Sequence, residues 1–237
     1  MWQSTHEFSN RRRKWICRNC GNEQYEFPPQ GLKIPPKILY IDIESALMSV
    51  DLYDLYIPGK RINKDMIDRH RFVINWAAVW VTPKEYTIKG RIMTGVVTQR
   101  EAKRQNDKRI LKPIFDLLEQ ADYICGHNSD GFDVKILKWR FLYHGMGYPL
   151  ASKSADTFKL SGKGRPESRA LEYLSLAFGG KPKKGLTQDE WREIAHQGTP
   201  RLLAKSNRYC RGDVREGVNV LRRYVLAEER SGKVIFK

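Results

Sequence analysis

No apolar run in the sequence approaches bilayer-spanning length, so a transmembrane helix is not expected. The opening stretch Met1-Trp2-Gln3-Ser4-Thr5-His6 leads into charged residues without an apolar signal core, so secretion is not expected either. Cysteine is scarce. Four in 237 residues do not make a disulfide scaffold, and a reducing cytosol fits best. Internal repeats are not visible. Acidic residues are in deficit: 27 Asp+Glu stand against 43 Lys+Arg, a formal charge of +16. Such a field draws polyanions, nucleic acid first among them; a generic basic surface is the plain alternative.

What the chain does have is the material of a core. Apolar residues make up 41%, with six Trp, nine Phe and eleven Tyr, which excludes a disordered composition. The length suits one domain with a small appendage. Residues 1–36 read as that appendage, a basic arm or knuckle followed by a linker. They hold Arg11-Arg12-Arg13-Lys14, the pair Cys17-Arg18-Asn19-Cys20-Gly21, and joints at Pro28-Pro29 and Pro35-Pro36. The main domain, 37–237, opens on Lys37-Ile38-Leu39-Tyr40-Ile41-Asp42-Ile43-Glu44, an apolar β-branched run of buried-strand type.

Further strands are expected at 71–81, 86–93 and 122–125, and a strand or extended segment at 154–160. Helical spacing runs over 98–120 and over 132–143, where Phe132, Ile136, Trp139 and Leu142 fall on related faces. Ser168 to Phe178 is also helical. Thr187 with Glu190 reads as a capping box, and Thr199-Pro200 as a helix start. The last helix is expected to run to about Glu229, with a break allowed at Gly212. Strands followed by mixed strands and helices predict an α/β domain with helices packed on a sheet.

Three acidic elements stand out. Asp42 and Glu44 are two apart on the first strand, so both point to one face. Paired carboxylates in so apolar a run repel each other unless a cation joins them, and hard divalent ions prefer oxygen ligands. In the second element, Gly126-His127-Asn128-Ser129-Asp130-Gly131-Phe132-Asp133, a short strand opens into a helix. Asp133 lies in the first helical turn, where negative charge is favoured. It is preferred over Asp130 because Phe132 beside it can anchor the helix in the core. The third element, Tyr209-Cys210-Arg211-Gly212-Asp213, places Tyr209 and Asp213 on one helix face.

Taken in order, Asp42-x-Glu44, His127-Asn128-x-x-x-Phe132-Asp133 and Tyr209-x-x-x-Asp213 resemble the motifs of DEDD 3′→5′ exonucleases with an RNase H-like fold. The Tyr resembles the tyrosine-bearing subgroup. Asp156-Thr157-Phe158-Lys159-Leu160 and Leu171-Glu172-Tyr173-Leu174 are similar to connecting segments of that family. The resemblance covers about 37–228 and is closest to stand-alone phage or bacterial exonucleases. It implies an RNase H-like mixed sheet flanked by helices, and a cytoplasmic setting in a bacterium or a phage-infected host cell. It also implies two Mg²⁺ or Mn²⁺ about 4 Å apart. Asp42 would bridge both, Glu44 and Asp213 would hold the ion that activates water, and Asp133 the ion on the leaving-group side. Tyr209 would orient the nucleophile, and the 3′-terminal nucleotide would leave as a 5′-monophosphate. DNA is the favoured polymer, RNA the alternative.

His127 and Asn128 either line the pocket or tie down the turn, and Phe132 belongs to the same stretch. Lys135, Lys138 and Arg140 on the next helix, and the loop Lys181-Pro182-Lys183-Lys184, either bind phosphates or form a solvated basic face. Cys17-x-x-Cys20 is half a zinc knuckle. A structural zinc needs four ligands, and no second Cys pair exists. His6, His70 or a second subunit would have to complete it, and a reduced metal-free pair is the favoured reading. Two other functions remain: an RNase H-like endonuclease or resolvase, and a non-catalytic nucleic-acid-binding protein.

Overall fold

The computed structural model describes residues 2–4, 13–17, 23–26, 35–51, 64–149, 152–182 and 185–236. Three short strands come first: β1 (Trp2–Ser4), β2 (Arg13–Cys17) and β3 (Glu23–Glu26), paired antiparallel in that order. Cys17 is the last residue of β2, and Cys20 lies outside the described residues. So do Arg11, Arg12, Pro28-Pro29 and Lys183-Lys184.

The central sheet starts with β4 (Ile38–Ser45). A two-stranded ribbon of β5 (Ser49–Val50) and β6 (Ile67–Arg69) precedes β7 (Val73–Val81) and β8 (Ile88–Val96). Helices α1 (Gln99–Lys103) and α2 (Lys108–Gln120) lead to β9 (Tyr123–Gly126), α3 (Asp133–Tyr143) and β10 (Lys153–Asp156). Then come α4 (Thr157–Ser161), α5 (Leu171–Ala177), α6 (Gln188–Gln197) and α7 (Pro200–Arg230). The sheet order is β10-β9-β4-β7-β8. In the middle, β4 pairs antiparallel with β7 and parallel with β9. The expected mixed sheet flanked by helices is what forms.

Strand alternation sorts the core into two layers. Leu39, Ile41 and Ile43 of β4, with Ile74 and Trp76 of β7, pack towards α2 and α3. Ile38 and Tyr40, with Ala77 and Val79, pack towards Cys210, Val214 and Val218 of α7. The two elements come very close. A Cβ on Gly217 would lie 2.0 Å from the Tyr40 hydroxyl, so only glycine fits there.

Several expectations change. The stretch 98–120 is two helices. The chain turns at Gln105, whose φ of 53° is left-handed, and Asp107 is buried there. Residues 157–161 are helical rather than extended, because the Asp156 carboxylate accepts the Phe158 N–H and caps α4. The capping box at Thr187 and Glu190 forms, but Thr199 donates its hydroxyl to Glu193 instead of capping α7. Helix α7 runs through Gly212 without a break.

The largest change concerns α3. Its buried face is Ile136, Leu137, Arg140 and Phe141, while Phe132, Trp139 and Leu142 are exposed. Arg140 is not a free surface cation. Its Nε donates to Asp107 Oδ2 at 2.9 Å and its Nη2 to Oδ1 at 2.7 Å. Asp107 also accepts the Val73 N–H at 2.8 Å and contacts His144 Nε2 at 2.7 Å. This buried clamp joins the starts of β7 and α2 to the end of α3. Removing one partner strands a buried charge. Asp107→Ala is therefore expected to cost on the order of 3–5 kcal/mol in denaturant unfolding. A loss below about 1 kcal/mol would contradict the clamp.

Candidate active site

The row Ile38, Tyr40, Asp42, Glu44 follows one face of β4. Its first half is buried against α7; its second half becomes carboxylates as the strand emerges. A β-bulge between Glu44 and Ser45 ends the regular pairing with β7. Asp42 and Glu44 lie with Cys210 of α7 so that one ligand atom from each falls within 4.8 Å of the others. Cys210 donates its thiol to the Asp42 carbonyl at 3.4 Å. Burial, then the charges of Asp42 and Glu44, push that thiol well up, so it stays neutral. A neutral thiol anchors α7 to β4 and is a poor ligand for a hard cation.

Asp133 reaches the same place from α3. Its Oδ1 accepts the N–H of Ile43, the residue between Asp42 and Glu44, at 2.9 Å. That bond, rather than an apolar anchor at Phe132, sets the start of α3. Asp130 turns away to Lys159 (2.6 Å) and Ser154 (2.6 Å). Burial works against its charge, but those two partners hold its carboxyl below the usual range. Phe132 is exposed, so the helix is not anchored in the core there as expected, and of the two aspartates Asp133 is the one bonded to β4. Asp213 enters from α7, hydrogen-bonded to the Tyr209 hydroxyl. Burial, then the charge of Asp213, pushes Tyr209 far up, so the phenol remains protonated.

Asp42 carries the electrostatic load. Burial first, then the charges of Asp133, Glu44 and Asp213, raise its carboxyl well above the usual range. Its Oδ2 is buried without a hydrogen-bond partner. Burial also pushes Asp133 up to about 7, against the lowering effect of the Ile43 N–H. A buried carboxylate oxygen without a partner, beside three further carboxylates, is a donor set suited to Mg²⁺ or Mn²⁺.

Beside the cluster runs a groove of about 630 Å³, reaching from Glu44 and Tyr209 past Leu47 and Met48 to Phe132 and Trp191. Leu47, Met48 and Phe132 are exposed there, and the Arg71 guanidinium sits 6.0 Å from the Phe132 ring centre. Sequence reasoning missed Leu47, Met48, Arg71 and Trp191, since apolar exposure is a tertiary property. Asp156 was also missed as a site organiser. It is buried, and it accepts the N–H groups of Asn128 (2.8 Å) and Asp130 (3.2 Å), shaping the loop before α3.

His127 and Asn128 have local duties. The Thr157 hydroxyl donates to the Gly126 carbonyl at 3.1 Å, so its oxygen is left to accept from His127 Nδ1 at 2.9 Å. Asn128 takes a left-handed φ of 59° in the turn. Lys135 is exposed on α3.

The mixed five-stranded sheet and its flanking helices define an α/β domain of RNase H-like fold. In particular, the chain is similar in structure to the family B DNA polymerase from the hyperthermophilic archaeon Pyrobaculum calidifontis. The TM-score is 0.55 at 15% identity, over 94% of this chain and 28% of that one. The chain thus spans 28% of that polymerase's length, and likeness at this identity speaks for the fold alone. No family model and no curated protein matches the sequence. Among the described residues, no helix is long and apolar enough to cross a membrane.

Two predictions come from the site. A carboxyl at about 7 when folded and about 3.9 when unfolded binds more protons in the folded state. The stability Asp133 contributes is therefore complete below about pH 4 and lost as pH rises through about 7; Asp42 has the same sign. In EDTA the melting temperature should fall from pH 5 to pH 8, and Mn²⁺ should restore it at pH 8. Asp133→Asn should flatten the fall, and a profile that is flat in the parent protein would contradict the cluster. Gly212 has no packing reason to be glycine, since a Cβ there meets nothing within 4 Å. Gly212→Ala should raise the melting temperature by about 2–4 °C, as a helical glycine costs about 1 kcal/mol.

Proposed function

We propose that the chain is a metal-dependent 3′→5′ exonuclease that hydrolyses phosphodiester bonds of nucleic acid, DNA in preference, to nucleoside 5′-monophosphates. One observation carries the reading. Carboxylates from β4, α3 and α7 act on one another around Asp42, whose Oδ2 is buried without a partner. The RNase H-like fold, the net charge of +16 and the order of the three motifs support it.

Asp42, Glu44, Asp133 and Asp213 would hold the divalent ions. Bound there, such ions would supply Lewis-acid stabilisation of the phosphate and lower the pKa of water. The remaining work falls to the chain. Tyr209, protonated and tied to Asp213, offers its hydroxyl oxygen to orient the attacking water. Leu47, Met48 and Phe132 give the terminal nucleoside an apolar wall beside the carboxylates. Water's oxygen joins phosphorus, the bond from phosphorus to the preceding 3′ oxygen breaks, and that oxygen takes up a proton. The Ile43 N–H fixes Asp133 within this arrangement.

The test is digestion of 5′-labelled single- and double-stranded DNA and RNA with Mg²⁺ or Mn²⁺. A ladder shortening from the 3′ end is expected. Asp42→Ala and Asp133→Ala should each lower the rate by roughly 10²–10³-fold or more, the scale for a lost electrostatic contact. Asp130→Ala should stay within a few-fold of the parent. Internal cuts only, or undiminished activity in Asp42→Ala, would overturn the proposal.

A further inference from the structure

Helix α3 leaves the acidic cleft with an outer face that nothing in the described structure covers. Trp139 is 61% exposed, Tyr143 63% and Leu142 43%, on a helix whose other side is fully packed. Spacing puts these residues in line with the cleft. Phe132, Lys135, Trp139 and Tyr143 follow one another at intervals of three or four, so they form one stripe. Phe132 at its head lines the groove beside Glu44 and Tyr209. The eleven steps from Phe132 to Tyr143 span about 16 Å at the helical rise.

The chemistry of the stripe is basic and aromatic. From Val134 to Ala155 the chain has no Asp or Glu, but it has Lys135, Lys138 and Lys153, all exposed. Tyr148, 60% exposed, has the Lys138 ammonium 6.0 Å from its ring centre. Tyr143 is held in place. The guanidinium of Arg140 lies 4.3 Å from the centre of its ring, and that guanidinium is itself locked by Asp107. The His144 ring meets Tyr143 edge-on at 5.0 Å. A ring fixed from beneath and open above is a pre-ordered platform, so stacking on it sacrifices little side-chain freedom.

We infer that the outer face of α3 is a track for single-stranded nucleic acid. Bases stack on Trp139 and Tyr143, and Lys135 and Lys138 contact the phosphates between them. Charge favours this occupant: the stripe itself carries lysines and no acid, the nearby Asp130 being paired with Lys159, and rings interleaved with lysines suit strands of any sequence. The inference rests on the exonuclease reading only in assigning the 3′ end of that strand to the cleft.

The experiment measures binding without cleavage. Anisotropy of 5′-fluorescein oligo(dT) and oligo(rU) 20-mers is read in EDTA with the full chain, Asp42→Ala, Trp139→Ala, Tyr143→Ala and Trp139→Phe. Both rings are exposed, so the variants should melt like the parent. Trp139→Ala and Tyr143→Ala should each weaken 20-mer binding roughly fivefold or more, and Trp139→Phe should retain most of it. Asp42→Ala should bind no more weakly than the parent does. With Mg²⁺, Trp139→Ala and Tyr143→Ala should raise KM on 20-mers more than on a dinucleotide, which is too short to reach the track. Equal affinity for parent and alanine variants would overturn the track. So would a dimer that Trp139→Ala dissociates without loss of oligonucleotide affinity, because a second copy would then cover the face. A chain that binds in the expected pattern but never cleaves would sink the exonuclease reading and leave the track standing.

Discussion

The fold is arranged around one electrostatic constraint: carboxylates from three elements are close enough to oppose one another's ionisation. Two neighbouring residues of one strand face cannot avoid each other, so Asp42 and Glu44 are together as soon as β4 forms. Asp133 and Asp213 then arrive from opposite layers, α3 and α7, and push Asp42 further from ionisation. A fold optimised for stability alone would not assemble this group. Its tolerance depends on close support. Gly217 lets α7 approach β4, the Cys210 thiol bonds the Asp42 carbonyl, and the Ile43 N–H takes one oxygen of Asp133. Each of these contacts fixes a backbone or a carboxylate oxygen and leaves Asp42 Oδ2 unpartnered.

Much of this was legible in the sequence, for identifiable reasons. The strand β4 follows from an unbroken apolar, β-branched run, and the common face of Asp42 and Glu44 from the two-residue alternation of any strand. Tyr209 and Asp213 share a face because a helix places residues four apart together. The face of α3 was not legible. Val134, Ile136, Leu137, Trp139, Phe141, Leu142 and Tyr143 surround the helix, so the periodicity supports more than one buried side. The decision falls to a charged residue. Arg140 turns inward because Asp107, thirty-three residues earlier, is already buried at the turn between α1 and α2. No local pattern announces a partner at that distance. The same applies to Asp156, whose carboxylate organises a loop twenty-eight residues away.

The clamp of Asp107 and Arg140 thereby connects stability to the candidate site. It fastens the far end of α3, and the near end is fastened by Asp133 on Ile43. Between these two pins the helix has little freedom to rotate. Its inward face stays with the sheet, and Trp139 and Tyr143 stay outside. A residue read from sequence as either a phosphate-binding cation or part of a solvated basic face is instead what orients the aromatic face, because its guanidinium is engaged by Asp107 and by the ring of Tyr143.

Charge works on two length scales in this molecule. The excess of 16 positive charges acts across the surface, within the roughly 8 Å reach that physiological salt allows each exposed charge. It concentrates polyanions near the protein without placing them. The carboxylates act only inside the cleft, where screening is weak, and there they would repel a phosphate unless cations reversed the local sign. Under the exonuclease reading these two fields divide the task. The basic, aromatic exterior holds the strand whether or not metal is bound, and the cleft admits the terminal phosphate only when it is loaded. Affinity for the polymer and competence for hydrolysis are then set by different residues. On that reading, a strongly basic chain can bring carboxylates of β4, α3 and α7 to bear on Asp42 and still attract nucleic acid.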